Sequence, residues 1–213
     1  MANKKLELVP TLSEAFELGI KNLFPLILAL ILYLITIWIP YLNVGTTVGM
    51  YRLIIDMTKG EAINPLAIFD KDNFTQIGDF FLLLAFLGIG VSVAFCFMIV
   101  PGFVLGIAWG YAIYLLIEKK VLPLEALSLS YKATYGEKWT IFLIEILVTL
   151  LIGIVCVLLA LIPKVGVLFS ILAGLVGCSF AVAVEAVLYR HFSAKVDDIL
   201  GAAPAQPAPA AEE

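Results

Sequence analysis

Between Leu23 and Tyr189 this 213-residue chain passes six times from polar residues into a long apolar run. A helix needs about 20 mostly apolar residues to cross the hydrocarbon core of a bilayer. The runs cover residues 23–39, 42–57, 77–100, 103–117, 139–162 and 165–189, and the second is short and carries Arg52. Hydrophobic residues make up 62% of the chain and charged residues 14%, against roughly 45–50% and about 25% in soluble domains. A water-soluble domain of this size exposes too much surface to hide that excess. The expected fold is all-α and integral to the membrane, with six transmembrane helices.

Charge placement supports this count. With the N-terminus in the cytoplasm, six crossings put every one of the 13 Lys and Arg residues on the cytoplasmic side except Lys164, as the positive-inside rule requires. If residues 42–57 only dipped into the membrane and returned, every later loop would change sides and the basic residues would scatter. Both termini are therefore expected inside. About twenty rather polar residues precede the first run, and no small-residue cleavage site follows it, so the start does not read as a cleaved signal peptide. The end, residues 193–213 with the Ala/Pro-rich stretch GAAPAQPAPAAEE, reads as a disordered cytoplasmic tail.

Two stretches between the spans have helical character. Glu61 to Phe74 holds Asn64-Pro65, a cap followed by proline in the first turn. Leu122 to Lys138 has Pro123 near its start and Leu122, Ala126, Leu129 and Ala133 at helical spacing. Both are expected as amphipathic helices on the membrane surface.

An internal repeat is also visible. Glu14, Ala15, Leu18 and Lys21 match Glu125, Ala126, Leu129 and Lys132. Each segment leads into a span ending in Ile-Pro (Ile39-Pro40, Ile162-Pro163), then Val-Gly (Val44-Gly45, Val165-Gly166), then Tyr-Arg (Tyr51-Arg52, Tyr189-Arg190). The membrane domain, residues 1–192, thus reads as two copies of a surface helix plus hairpin, at about 11–57 and 122–192. A central hairpin at about 77–117 lies between them. Both copies begin on the same side, which makes the repeat parallel.

Few side chains suggest chemistry. A net charge of −4 argues against nucleic acid as a partner. Cys96, Cys156 and Cys178 lie deep in apolar runs, form no CxxC pair and have no histidine near them in sequence, so no metal is expected. His191 is the only histidine and lies just beyond the last span. No P-loop, HExxH or GxSxG occurs, so neither a catalytic residue nor a cofactor is expected.

The candidates are polar residues inside spans. Glu145 and Glu185 lie at similar depth on antiparallel neighbours, and Arg52 could pair with one of them. A carboxylate in a span usually faces protein or water. The cluster reads either as a cation-responsive or solute site, or, as the simpler expectation, as a fixed ion pair near the interface. Gly102, Gly106 and Gly110 recur at every fourth position, the pattern of a groove for close helix packing within the monomer or between copies.

Val100-Pro101-Gly102 and the stretch LPLEALSLSYKATYGEKWTIF, residues 122–142, resemble a set of prokaryotic multi-pass membrane proteins. These are similar to the membrane domain attached to some glycerophosphodiester phosphodiesterases, and to its stand-alone relatives. The resemblance implies a prokaryotic cytoplasmic (inner) membrane location; no phosphodiesterase domain is present, so it implies no activity. The expected function is a non-enzymatic scaffold, accessory subunit or assembly factor working through membrane lipids and a protein partner or homo-oligomer. The alternative is a small transporter or channel using Glu145, Glu185 and Arg52.

The topology makes a direct prediction. With the three native cysteines replaced by alanine, a cysteine at Lys164 is expected to react with a membrane-impermeant thiol reagent in intact cells. One at Lys120 is expected to react only after permeabilisation, and equal labelling of both would refute the six-crossing arrangement.

Overall fold

The computed structural model describes residues 5–60 and 63–202. Among them all regular elements are helical. In order they are α1 (Leu8–Lys21), α2 (Leu23–Thr36), α3 (Leu42–Thr58), α4 (Ile77–Phe97), α5 (Ile99–Trp109), α6 (Ala112–Lys119), α7 (Pro123–Ala133), α8 (Lys138–Ala160) and α9 (Gly166–Ala202).

Four segments among the described residues are long and apolar enough to cross a membrane: α4, Ile99–Lys119 (α5 with α6), α8, and α9 as far as Gly201. A fifth is obtained if α1 and α2, which meet at 78°, count as one bent crossing. The expected spans at 23–39 and 42–57 correspond to helices of only 14 and 17 residues. At 1.5 Å per residue these reach about 21 and 25 Å, short of the hydrocarbon thickness of about 30 Å.

Every helix of the first copy packs on α9. Thr11, Ala15 and Gly19 recur at steps of four on α1 and are buried. A Cβ built on Gly19 would lie 3.3 Å from that of Ala183 on α9, so small residues on both helices allow the approach. The opposite face of α1 exposes Phe16 and Ile20. Asn22 ends the helix, its side-chain amide donating to the Leu18 carbonyl at 3.0 Å.

α7 is a helix, as the sequence suggests, but it does not simply lie on the surface. Ala126, Leu127, Leu129, Ser130 and Ala133 are buried, and the Ser130 hydroxyl donates to the Ala108 carbonyl at 2.8 Å. The expected helix over Glu61 to Phe74 resolves instead into two short 3-10 turns, Pro65–Phe69 and Lys71–Phe74, separated by Asp70 in an extended conformation. The Asn73 side chain donates to the carbonyls of Ala67 and Ile68 at 2.9 and 3.0 Å and folds the second turn onto the first. Residues 61 and 62 lie outside the described residues.

The final helix also departs from expectation. It continues through the boundary at 192 to Ala202, because Phe192 and Val196 are buried and Ile199 packs beside them. The rest of the expected tail lies outside the described residues.

The two Ile-Pro turns share one conformation. Tyr41 and Lys164, each following the proline, both have φ of 69°. After Pro40, the Leu42 N–H donates to the Pro40 carbonyl at 2.9 Å and Asn43 to Ile39 at 3.0 Å. After Pro163, Val165 donates to Pro163 and Gly166 to Ile162, both at 2.9 Å. Proline cannot donate to the helix ladder, and its ring ends the preceding helix.

A charged network ties the chain's beginning to α9. Glu137, just before α8, is buried. Its carboxylate accepts from the Leu6 N–H at 3.2 Å, His191 Nε2 at 2.9 Å and Lys195 Nζ at 2.8 Å. Burial alone would raise its pKa, but Lys195, the Leu6 N–H and His191 outweigh it and hold the carboxyl below its ordinary value. The resulting stability is present above the ordinary carboxylate pKa and is lost as pH falls through the lowered one. Glu137→Gln is expected to cost about 1.5–3 kcal/mol at neutral pH, the worth of hydrogen bonds to a charge. The gap should close below about pH 4, read as thermal melts in detergent; an equal Tm at neutral pH would contradict this role.

Candidate functional site

α4 and α5 are joined through Met98 alone, whose extended backbone (φ −162°, ψ 152°) folds one helix back on the other. Pro101 falls in the first turn of α5, where a missing N–H costs no helical hydrogen bond. The helix is then interrupted at Gly110 and Tyr111 before α6 resumes. Tyr111 has φ −88° and ψ 0°, and Gly110 donates to the Ile107 carbonyl at 3.4 Å. Irregular backbone at membrane depth is tolerated where it is buried in protein or lines a cavity.

A cavity lies at this interruption. It has a volume of about 350 Å³ and is bounded by Gly102, Phe103, Gly106, Ile107, Gly110 and Tyr111, by Phe95 of α4, and by Glu145 and Glu185 of α8 and α9. Each glutamate sits about 7–10 Å of helix rise from a flanking basic residue, Lys138 for one and Arg190 for the other.

The two carboxylates and the glycine series, read separately in the sequence, thus belong to one site. Among the described residues neither carboxylate has a hydrogen-bond or ion-pair partner. They lie within electrostatic range of each other and of Tyr111. The Tyr111 side chain is 3% exposed, and its hydroxyl is buried without a hydrogen-bond partner. Such an orphan costs about 1–3 kcal/mol. Tyr51 and Tyr114 also lie within electrostatic range of Glu185.

Within the chain only Gly102 of the glycine series lies against another helix. A Cβ on Gly102 would strike the Phe95 ring at 2.4 Å, so this position is filled by an aromatic side chain. A Cβ on Gly106 meets nothing within 4 Å, and one on Gly110 meets only carbonyls of its own helix, the nearer at 3.4 Å. Within the chain the series lines the cavity wall.

Arg52 does not join the glutamates. Its guanidinium donates to the Asp72 carbonyl at 2.9 Å, because the 3-10 turns after α3 bring that carbonyl alongside. It borders a second, smaller cavity with Asp56, Lys59, Asp70 and Glu118. There Lys59 lies 3.9 Å from both Asp56 and Glu118, while Glu118 accepts from the hydroxyls of Tyr189 and, at 3.1 Å, Ser193. The sequence reading missed Tyr111, Phe95 and Phe103. Tyr111 directly follows the last glycine of the series, the one local signal for it.

Among the described residues no three His, Cys, Asp or Glu side chains converge as a metal cage. No protein-family model, curated protein or solved structure matches the chain, so the resemblance to phosphodiesterase membrane domains rests on its short motifs.

The unpartnered hydroxyl makes a stability prediction. Tyr111→Phe is expected to leave the Tm in detergent unchanged or slightly raised, since it removes a buried polar group and no hydrogen bond. Tyr189→Phe, which deletes a donor to Glu118, is expected to cost about 1.5–3 kcal/mol. An equal loss in both variants would show that the Tyr111 hydroxyl has a partner.

Proposed function

We propose that this chain is a non-enzymatic, solute-handling membrane protein of the small carrier or channel class, with its binding site at Glu145, Glu185 and Tyr111. The observation that carries this reading is two carboxylates that, among the described residues, have no cationic partner and border one cavity, which Tyr111 also lines. A fixed structural ion pair would have placed a Lys or Arg against them. Ionisable groups at membrane depth are costly, and where they persist they mark a solute or ion path. The occupant that compensates two such carboxylates is positively charged or a proton donor.

The reading includes six crossings with both ends in the cytoplasm, in a prokaryotic cytoplasmic membrane. Two short helices, α2 and α3, reach across if the bilayer thins locally, which costs fractions of a kcal/mol per Å. The matched Ile-Pro turns support descent of the α1–α3 and α7–α9 units from one repeated element. A scaffold role has its own support. The α4–α5 hairpin exposes Phe81, Phe97, Met98, Ile99 and Val100, a face that suits lipid or another membrane protein, and native purification with a stoichiometric partner would favour it.

Flux separates the two. In proteoliposomes with an imposed membrane potential, cation uptake is expected to fall at least tenfold in the double variant Glu145→Gln/Glu185→Gln. Arg52→Gln should leave it unchanged, because Arg52 lies outside the cavity. No flux in the parent, or equal flux in parent and double variant, would overturn the solute-handling reading.

A further inference from the structure

Resting on the solute-handling reading, we infer that the occupant of this cavity is an organic ammonium ion rather than a bare metal cation. Four features of the site point to this class. The first is charge: Glu145 and Glu185 face the cavity, and among its lining residues there is no Lys, Arg or His. The second is size. A volume of about 350 Å³ holds about a dozen water-sized groups at about 30 Å³ each, at the lower end of small-molecule sites. A dehydrated alkali or alkaline-earth ion would fill a small part of it.

The third is the donor set. Hard cations such as calcium require six to eight oxygen ligands at once. Two carboxylates and one phenol, with no third His, Cys, Asp or Glu converging on them, fall short of that shell. An organic ammonium ion needs no such shell: a carboxylate to neutralise it and aromatic faces around its carbon suffice.

The fourth is the wall. Phe95 and Phe103 stand edge to face, with ring centroids 5.3 Å apart and an interplanar angle of 77°, and both line the cavity together with Tyr111. Aromatic faces around a carboxylate attract alkylammonium groups through the ring quadrupole while burying their carbon. Gly102 lies under the Phe95 ring, while the position of Gly106 leaves room for a ligand's apolar body. The carboxylates supply the charge, the rings supply the selectivity for carbon-bearing cations, and the glycines supply the space.

Titration calorimetry on the full chain in detergent tests this, with choline and tetramethylammonium as probes and KCl, NaCl and MgCl2 at matched ionic strength as competitors. The expected result is saturable binding of the organic cations. It should weaken at least tenfold in Glu185→Gln and severalfold in Phe103→Leu, with the inorganic ions competing only weakly. Glu145→Gln provides a second variant if Glu185→Gln does not fold, and at least tenfold weakening is expected there. Glutamate-dependent binding of an inorganic ion with no binding of either organic probe would overturn this inference and leave the solute-handling reading intact. Heat changes from no cation at all would overturn both. Equal affinity of organic probes for the parent and Phe103→Leu would remove the aromatic wall from the account.

Discussion

Tyr114 is where the two halves of this protein meet. Its ring stacks on Tyr189 of α9 at 4.8 Å and meets Tyr51 of α3 edge-on at 5.0 Å. These are the tyrosines of the two Tyr-Arg pairs, so both pairs clasp one residue of α6. Each aromatic pair is worth about 0.5–1.5 kcal/mol beyond the area it buries. Lipid gives helices no hydrophobic reason to associate, so such packing and polar contacts carry the assembly. Removal of this clasp would free α6 from α3 and α9, and with it the interruption at Gly110 and Tyr111 that shapes the cavity.

The same arrangement explains how charges persist beside the apolar core. Polar groups are sorted into two regions. At the ends of α8 and α9 the network is saturated: Glu137 holds three donors, Glu118 accepts from two hydroxyls, Lys119 pairs with Asp197 at 2.7 Å, and Arg190 pairs with Glu14. These fix α1, α6 and α9 relative to one another. In the cavity the opposite holds: among the described residues Glu145, Glu185 and the Tyr111 hydroxyl have no hydrogen-bond or ion-pair partner. Glu118 and Glu137 have side-chain partners while Glu145 and Glu185 have none, and that contrast is what the proposed ligand site rests on.

The apolar runs located α8 and α9 to within a residue or two at their starts, since long uninterrupted hydrophobicity between a Trp or Gly and an Ile-Pro leaves little choice. The tight turn at Pro163 sets α8 and α9 side by side, and Glu145 and Glu185 border one cavity. The glycine spacing marks a row of small residues, of which Gly102 lies under the Phe95 ring while Gly106 and Gly110 face no neighbouring helix. Spacing reports the shape of one helix and is silent on whether another helix or a cavity lies opposite. Arg52 was assigned to the glutamates by depth alone. Its contact with the Asp72 carbonyl depends on the 3-10 turns at Pro65–Phe69 and Lys71–Phe74, and Asn73 builds these through hydrogen bonds that hydrophobic periodicity does not encode. The end of α2 likewise escaped, because the turn at Pro40 and the left-handed Tyr41 stops it at Thr36, while α3 (Leu42–Thr58) follows its apolar run to within a residue.

The account stands on the carboxylates being held for something other than protein. The most direct test is a density map of the chain purified in lipid nanodiscs from native membranes. It is expected to show non-protein density between Glu145, Glu185 and Tyr111, bordered by Phe95 and Phe103, with Arg52 remaining on Asp72. Either carboxylate in contact with a Lys or Arg side chain, or closure of the cavity by helix packing along Gly102, Gly106 and Gly110, would contradict it.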